Sequence, residues 1–436
     1  MTRVLLANHW HDDNRGDSAI TEGILTLLHG AVPDAHVTVT TLWEDGPLAD
    51  GATRHLGAAA GAGATVRPSP APTELRGYRG ARGRGRTALD AARLVARSVP
   101  DAVAAVTGAP VPSWRDVVAT HDAVVLVGGS NVFDDAGVPA VLGVPRLQAV
   151  LGPVQAAVRL GRPALVLGHT LGPFAHAAGR RTARRMLAGA DLAVVREARS
   201  VDVARSLGVR AVEEAPDLAF ALEPVRTPRV GALLDALPWD ARRTLVLSVR
   251  SHPTRRDADD RLVAEFAAAA RALVAAGDLD GVAVVPHTVG PTPVEDDRPL
   301  SAALLAALAG VPAVLVPDDL APGELSAFYG GVGAVVAVRL HAAILALNAG
   351  TPTYAVAYLT GKTHGVMAQV GLPDAVGEFT TVTAADVVAG VRAQVHDPDL
   401  RARLAAAADG RRAELRERAA GWFAPLRRAV RPGLTV

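Results

Sequence analysis

The sequence contains no cysteine, which excludes disulfides, thiolate metal sites and cysteine nucleophiles. Aromatic residues make up only 4%, and the apolar content draws heavily on alanine, so the helices should pack closely. Neither sign of charge is in excess. Forty-five basic residues against 44 acidic ones give a formal net charge of +1, and with it no global field to draw the chain to nucleic acid or an anionic membrane. Any basic function must be local. Lysine is nearly absent too: of the 45 basic residues only Lys362 is a lysine, and it follows a glycine. Long hydrophobic runs are also missing. The longest, residues 302–316, is broken by Gly310 and Pro312 and reads as a buried helix followed by a strand, not as an integral membrane segment. The apolar stretch 4–7 is too short for a signal-peptide core, so the expected location is cytoplasmic.

What is present is length and alternation. At 436 residues the chain exceeds the size at which one hydrophobic core stops growing, so two domains are expected. Short β-branched runs alternate with alanine-rich amphipathic ones, the pattern of parallel strands joined by crossover helices. Strands are expected at 4–7, 37–41, 123–127, 164–167, 192–195 and 211–213, then at 244–249, 282–285, 313–316, 334–338 and 353–357. Each set suffices for one doubly wound, Rossmann-like sheet. Three prolines between them, Pro224, Pro228 and Pro238, mark a boundary. The expected division is an N-terminal α/β domain over 1–225, a linker over 226–243, a C-terminal α/β domain over 244–397, and a closing helix and tail over 398–436. Ligands of such sheets bind outside the C-terminal strand ends, which predicts a cleft faced by both domains.

Residues 45–114 stand apart, being rich in Gly, Ala, Pro and Arg around an Arg/Gly core at 76–86. They read as an insertion, partly disordered or forming a basic lid, with a helix expected over 87–99 within it. Tracking of an RNA backbone is the weaker alternative for a chain of neutral overall charge.

Several motifs follow strands. Asn14, Gly16 and Asp17 open a helix after the first strand, where backbone N–H groups can face an anion, unless Asp17 or Ser18 is a plain N-cap. Gly128, Gly129, Ser130 and Asn131 follow the strand at 123–127, and His169 lies in a further Gly-rich turn, so three such turns share one sheet edge. His9, His11, Asp12 and Asp13 lack the spacing of a metal site and read as a solvated polar loop; no metal and no cofactor is expected. The most informative stretch carries Arg339 and His341 from the end of an apolar strand into a nearly all-apolar helix, with Lys362 downstream. A guanidinium placed there needs an anion or a carboxylate partner.

At these residues the chain resembles the polysaccharide pyruvyl transferase family. The resemblance runs through Asn14-x-Gly16-Asp17, Gly128-Gly129-Ser130, Gly172-Pro173-Phe174, a widened Arg196-x-x-x-Ser200, Ser248-Val249-Arg250, Arg339-Leu340-His341 and Lys362. Ser130 stands where a third glycine is common. The resemblance implies two Rossmann-like domains similar to GT-B glycosyltransferases, the first binding the acceptor and the second the donor. It also implies a reaction that moves the pyruvyl unit of phosphoenolpyruvate onto two hydroxyls of a sugar or glycan as a ketal, releasing phosphate. Phosphoenolpyruvate is then a co-substrate and not a cofactor. Arg339 and Arg250 suit the donor's anionic groups, with Lys362 adding a point charge. His341 suits the proton that the enol carbon must receive, and Asp17 or Asp135 the proton of the acceptor hydroxyl. A nucleotide-sugar glycosyltransferase, with Glu324 as a ribose contact, and a non-catalytic anion-binding protein are the rival readings. Homo-oligomerisation is left open.

Overall fold

The structure, a computed structural model, describes residues 2–42, 54–56, 65–71, 84–252, 255–293, 295–317, 319–358 and 361–429. It divides into two compact units. One comprises Met1–Asp12, Ile20–Ala221 and Glu414–Val436, the other Asp13–Ala19 and Leu222–Ala413.

The first unit is built on a parallel sheet of β1 (Thr2–His9), β2 (Ala35–Thr41), β3 (Thr65–Arg67), β4 (Ala123–Asp134), β5 (Ala164–Phe174), β6 (Leu192–Val195) and β7 (Ala211–Glu214). Their order is β3-β2-β1-β4-β5-β6-β7. The central strands read as continuous runs such as Ala123–Leu126 without polar alternation, because crossover helices cover both sheet faces. Helix Ala140–Arg159 is long and apolar enough by composition to cross a membrane, but 72% of its apolar window is buried. Trp114 also packs in this unit's core, and a side chain at Gly152 would strike its ring at 2.4 Å.

The second unit repeats the arrangement with β8 (Thr244–Ser248), β9 (Gly281–Val284), β10 (Ala313–Leu315), β11 (Ala334–Ala337), β12 (Thr353–Ala357) and β13 (Val376–Glu378), ordered β10-β9-β8-β11-β12-β13. In each sheet the winding reverses between two central strands, β1 and β4 or β8 and β11. Ligands of doubly wound sheets settle at that reversal, beyond the C-terminal strand ends.

Every strand expected from sequence is present. The structure adds the edge strands β3 and β13 and departs from expectation at four places. Residues 226–243 are no bare linker: Thr227 caps helix Pro228–Asp235 by accepting from the Val230 N–H, and Val230 and Leu234 are buried in the second unit. The turn Asp13–Ala19 belongs to the second unit although it directly follows β1. Within the insertion, helix Arg84–Thr107 continues through Pro100, while residues 72–83, with most of the Arg/Gly core, lie outside the described residues, as do 43–53 and 57–64. The fourth departure is the polar stretch after β1. His9, His11 and Asp12 are buried, not solvated; Asp12 accepts the His55 and Leu56 N–H groups at 2.6 and 2.9 Å and pairs with His9 at 3.3 Å.

Candidate functional site

The second unit gathers its polar side chains at the reversal of its sheet. β11 delivers Arg339 to the N-cap of helix Leu340–Asn348, with extended backbone (φ −77°, ψ 122°), and His341 into that helix's first turn. Arg339 is 8% exposed. Its carboxylate partner, demanded by burial, is Asp297. Nε donates to Asp297 Oδ1 and Oδ2 at 3.2 and 3.1 Å, and Nη2 donates to Oδ1 at 2.6 Å and to the Glu295 carbonyl at 2.7 Å. Nη1 makes no hydrogen bond among the described residues. The guanidinium is thus fixed along one edge and keeps donors on the other.

Asp297 is itself over-determined. Its N–H donates to the Thr288 carbonyl at 2.7 Å, and its Oδ2 accepts the Thr288 N–H at 2.8 Å. Burial pushes its carboxyl up from the ordinary range, while Arg339, the Thr288 N–H and Arg250 pull against that rise. Removing one member of such a pair leaves a buried charge unmatched, at a cost of about 3–5 kcal/mol.

The turn Asp13–Ala19 completes the cluster. Asn14 forms a bridge to Thr288, and its side chain caps helix Arg15–Ala31, Oδ1 accepting the Gly16 and Asp17 N–H groups at 3.2 and 3.4 Å. The cap is therefore Asn14 and neither Asp17 nor Ser18. Asn14 Nδ2 donates to Asp17 Oδ2 at 2.7 Å, which orients that carboxylate. Arg15 is 1% exposed, and its guanidinium reaches the carbonyls of Asp13, His287 and Leu320 at 3.3–3.5 Å. Gly16 explains itself: a Cβ there would lie 2.2 Å from His341 Nδ1, so only glycine lets the imidazole lie against this backbone.

Arg250 follows β8 and places its guanidinium 4.2 Å from the centre of the Tyr358 ring, with Nη1 donating to the Tyr358 hydroxyl. Lys362 opens helix Lys362–Gln369, half-buried. Glu324, the acid of the nucleotide-sugar reading, is occupied: it accepts the Thr227 hydroxyl at 2.7 Å and the Ala321 N–H at 3.1 Å at the start of helix Pro322–Gly331.

The remaining sequence-derived residues lie in the first unit, and there the structure corrects the reading. Gly128–Asn131 and Gly168–Thr170 are not turns beyond strand ends; they run on inside β4 and β5, which stay paired with register shifts. A Cβ at Gly128 would lie 2.5 Å from the Gly168 carbonyl oxygen, so only glycine lets the two strands approach this closely here. His169 is fully buried, and burial first, then the Arg196 charge, drives its pKa down to about 3. Ser130 accepts from Arg196 Nη2 at 2.9 Å, while Arg196 Nε donates to Thr170 Oγ1 at 3.0 Å and Nη1 to Asp217 at 2.6 Å. Asn131 gives its carbonyl to Arg146 at 3.0 Å, and Asp135 is exposed and accepts the Gly137 N–H at 2.8 Å.

A family profile described as Polysaccharide pyruvyl transferase matches residues 14–360. The chain belongs to the polysaccharide pyruvyl transferase family. Its matched span starts at Asn14 and contains Arg250, Asp297, Arg339 and His341. Among named relatives, the amylovoran biosynthesis protein AmsJ of Erwinia amylovora is 25% identical over 297 residues, 64% of this chain and 66% of that protein. The chain thus spans just under two thirds of that relative's length. Of solved structures, a UDP-glucosyltransferase from Polygonum tinctorium matches with TM-score 0.56 at 12% identity, over 97% of this chain and 98% of that one. The UDP-GlcNAc 2-epimerase from Neisseria meningitidis matches with TM-score 0.52 at 11% identity, over 93% and 94% of the two chains. At such identities the likeness is one of fold, the paired Rossmann-like units of GT-B glycosyltransferases and these epimerases.

Proposed function

We propose that this transferase moves the pyruvyl unit of phosphoenolpyruvate onto two hydroxyls of a sugar in a glycan or glycoconjugate. The observation that carries this reading is the state of Arg339, clamped by Asp297 and the Glu295 carbonyl along one edge and left with Nη1 unbonded. A guanidinium held in this way is a preorganised fork for a carboxylate or phosphate. Arg250, stacked on Tyr358, and Lys362 supply the further positive charge that a donor bearing both groups requires.

His341 then protonates the methylene carbon of the enol, and the adjacent carbon becomes electrophilic. A sugar hydroxyl attacks that carbon and gives up its proton, phosphate leaves with the C–O bond electrons, and a second hydroxyl closes the ketal as its proton passes to the departing phosphate. Asp17, oriented by Asn14 and next in sequence to the glycine against His341, is the base assigned to the acceptor. The first unit is assigned the acceptor glycan, and the reaction is placed in the cytoplasm.

Thermal denaturation with candidate donors tests the reading, since a ligand of the folded state raises the melting temperature by mass action. Phosphoenolpyruvate should raise it and UDP-sugars should not. The reverse result would select the glycosyltransferase reading.

A further inference from the structure

His287, three residues beyond the end of β9 at Val284, takes no part in the steps above, yet its position is unusual. The ring is 1% exposed, and neither Nδ1 nor Nε2 has a hydrogen-bond partner among the described residues. The neighbouring Thr288 Oγ1 is likewise buried and unpartnered. Leaving such groups unsatisfied costs about 1–3 kcal/mol each, so an arrangement of this kind calls for an explanation. Its backbone is held from two sides: Arg15 Nη1 donates to the His287 carbonyl at 3.5 Å, and Asn14 bridges to Thr288, whose N–H binds Asp297 at 2.8 Å. The ring thus belongs to the loop that joins the Asn14–Gly16 turn to the Arg339 clamp.

We infer that His287 is a donor-linked proton site, a positioning residue that is neutral in the free transferase and takes up a proton when a dianionic donor occupies the neighbourhood of Arg339 and His341. This rests on the donor reading above and adds to it a role for a residue that the proposed reaction leaves unused.

The charged and titratable groups that act on the ring are His341 and Arg339 from beyond β11, Arg15 from the turn, and Asp297 through its bond to Thr288. Three of the four are cationic or can become so. Burial, followed by the charges of His341, Arg339 and Arg15, lowers the His287 pKa well below its ordinary value, which keeps the ring neutral near pH 7. An arriving dianion offsets these positive charges. The added proton then gives the donor an imidazolium beside the guanidinium groups.

The test is donor affinity against pH, read together with the state of the ring itself. In histidine-labelled protein, proton–nitrogen correlation NMR should show a neutral His287 ring, assigned by its loss in His287→Asn, from about pH 7 to about pH 8 without ligand. Saturating phosphoenolpyruvate should convert it to the charged pattern. Because binding takes up a proton, affinity should tighten as pH falls, by up to about tenfold per pH unit above about pH 7, where the phosphate is already dianionic. In His287→Asn that slope should shrink while the ligand-free melting temperature stays close to wild type; His287→Gln provides the same reading if the Asn variant is unstable. A ring that remains neutral in the complex, or a slope unchanged in both variants, overturns the inference while leaving the donor reading intact. Absence of any phosphoenolpyruvate binding by the wild-type protein overturns both.

Discussion

The two units are built to one plan and use their buried arginines differently. Both are parallel doubly wound sheets, and each sets an arginine beyond the C-terminal strand ends against a buried aspartate, Arg196 on Asp217 and Arg339 on Asp297. Arg196 spends its donors on Ser130 inside β4, Thr170 inside β5 and Asp217 just past β7, and so serves as a latch across the first sheet. Arg339 spends only one edge of its guanidinium. The histidines follow suit. His169 is sealed inside paired strands and held neutral, whereas His341 is half-buried in the first turn of a helix, facing a glycine. The same residue types are therefore committed to structural contacts in one unit and, in the proposed reaction, serve the donor in the other.

The comparison can be broken most sharply at the histidines. His341→Ala should lower turnover by about 10²–10⁴-fold, the usual worth of a positioned general acid, with phosphoenolpyruvate affinity largely kept. Steady-state kinetics and calorimetry separate the two, and equal losses in both would erase the division of labour between His341 and Arg339. At the arginines, Arg339→Ala should weaken donor binding by about 2–5 kcal/mol. Arg196→Ala, like Arg339→Ala, should destabilise the fold by about 3–5 kcal/mol, but should leave donor affinity unchanged in the protein that remains folded. An Arg196 variant that folds normally and loses the donor would reverse the assignment of the units.

Gly16→Ala offers a finer cut. Its Cβ would meet the His341 ring at 2.2 Å, so the imidazole must move, and turnover should fall by about tenfold or more, consistent with the sensitivity of catalysis to misplacement by an ångström. The smallest effect belongs to the first unit's interior. Burial, then the Asp12 charge, raises the Glu22 pKa to about 8. Between the ordinary carboxyl value and about 8 the folded chain holds a proton that the unfolded chain has lost, so Glu22 makes stability fall as pH rises through that window. Glu22→Gln should remove the slope and stabilise the chain relative to wild type at pH 8, a gain that shrinks toward pH 5 and is readable by thermal denaturation across pH.

Much of this was legible in the sequence because it rests on local pattern. The strand runs and the alternation with helices were readable from hydrophobicity alone, and the short edge strands Thr65–Arg67 and Val376–Glu378 were missed because three residues carry no periodicity. Arg339 announced itself as a charge at the end of an apolar strand. Its partner did not. Asp297 sits among Glu295, Asp296 and Arg298, a charged run that reads as solvated surface until folding buries one member of it. His287 follows a proline and resembles an ordinary loop histidine. Gly128 was misread for a different reason: a glycine that opens a turn and one that lets two strands approach look alike in one dimension. Gly16 and His341 lie more than 300 residues apart in sequence, and only folding shows that each requires the other.

The central claim is that the second unit's clamped arginine receives phosphoenolpyruvate for transfer to a glycan. Its most direct test is calorimetric titration of phosphoenolpyruvate into the wild-type protein and Arg339→Ala, followed by mass analysis of glycans incubated with isotope-labelled donor. Phosphoenolpyruvate should bind the wild-type protein saturably, Arg339→Ala should weaken that binding by at least about 2 kcal/mol, and a labelled pyruvate ketal should form on the glycan with phosphate released. Affinity unchanged in Arg339→Ala, or phosphate release with no label on any glycan, would contradict it.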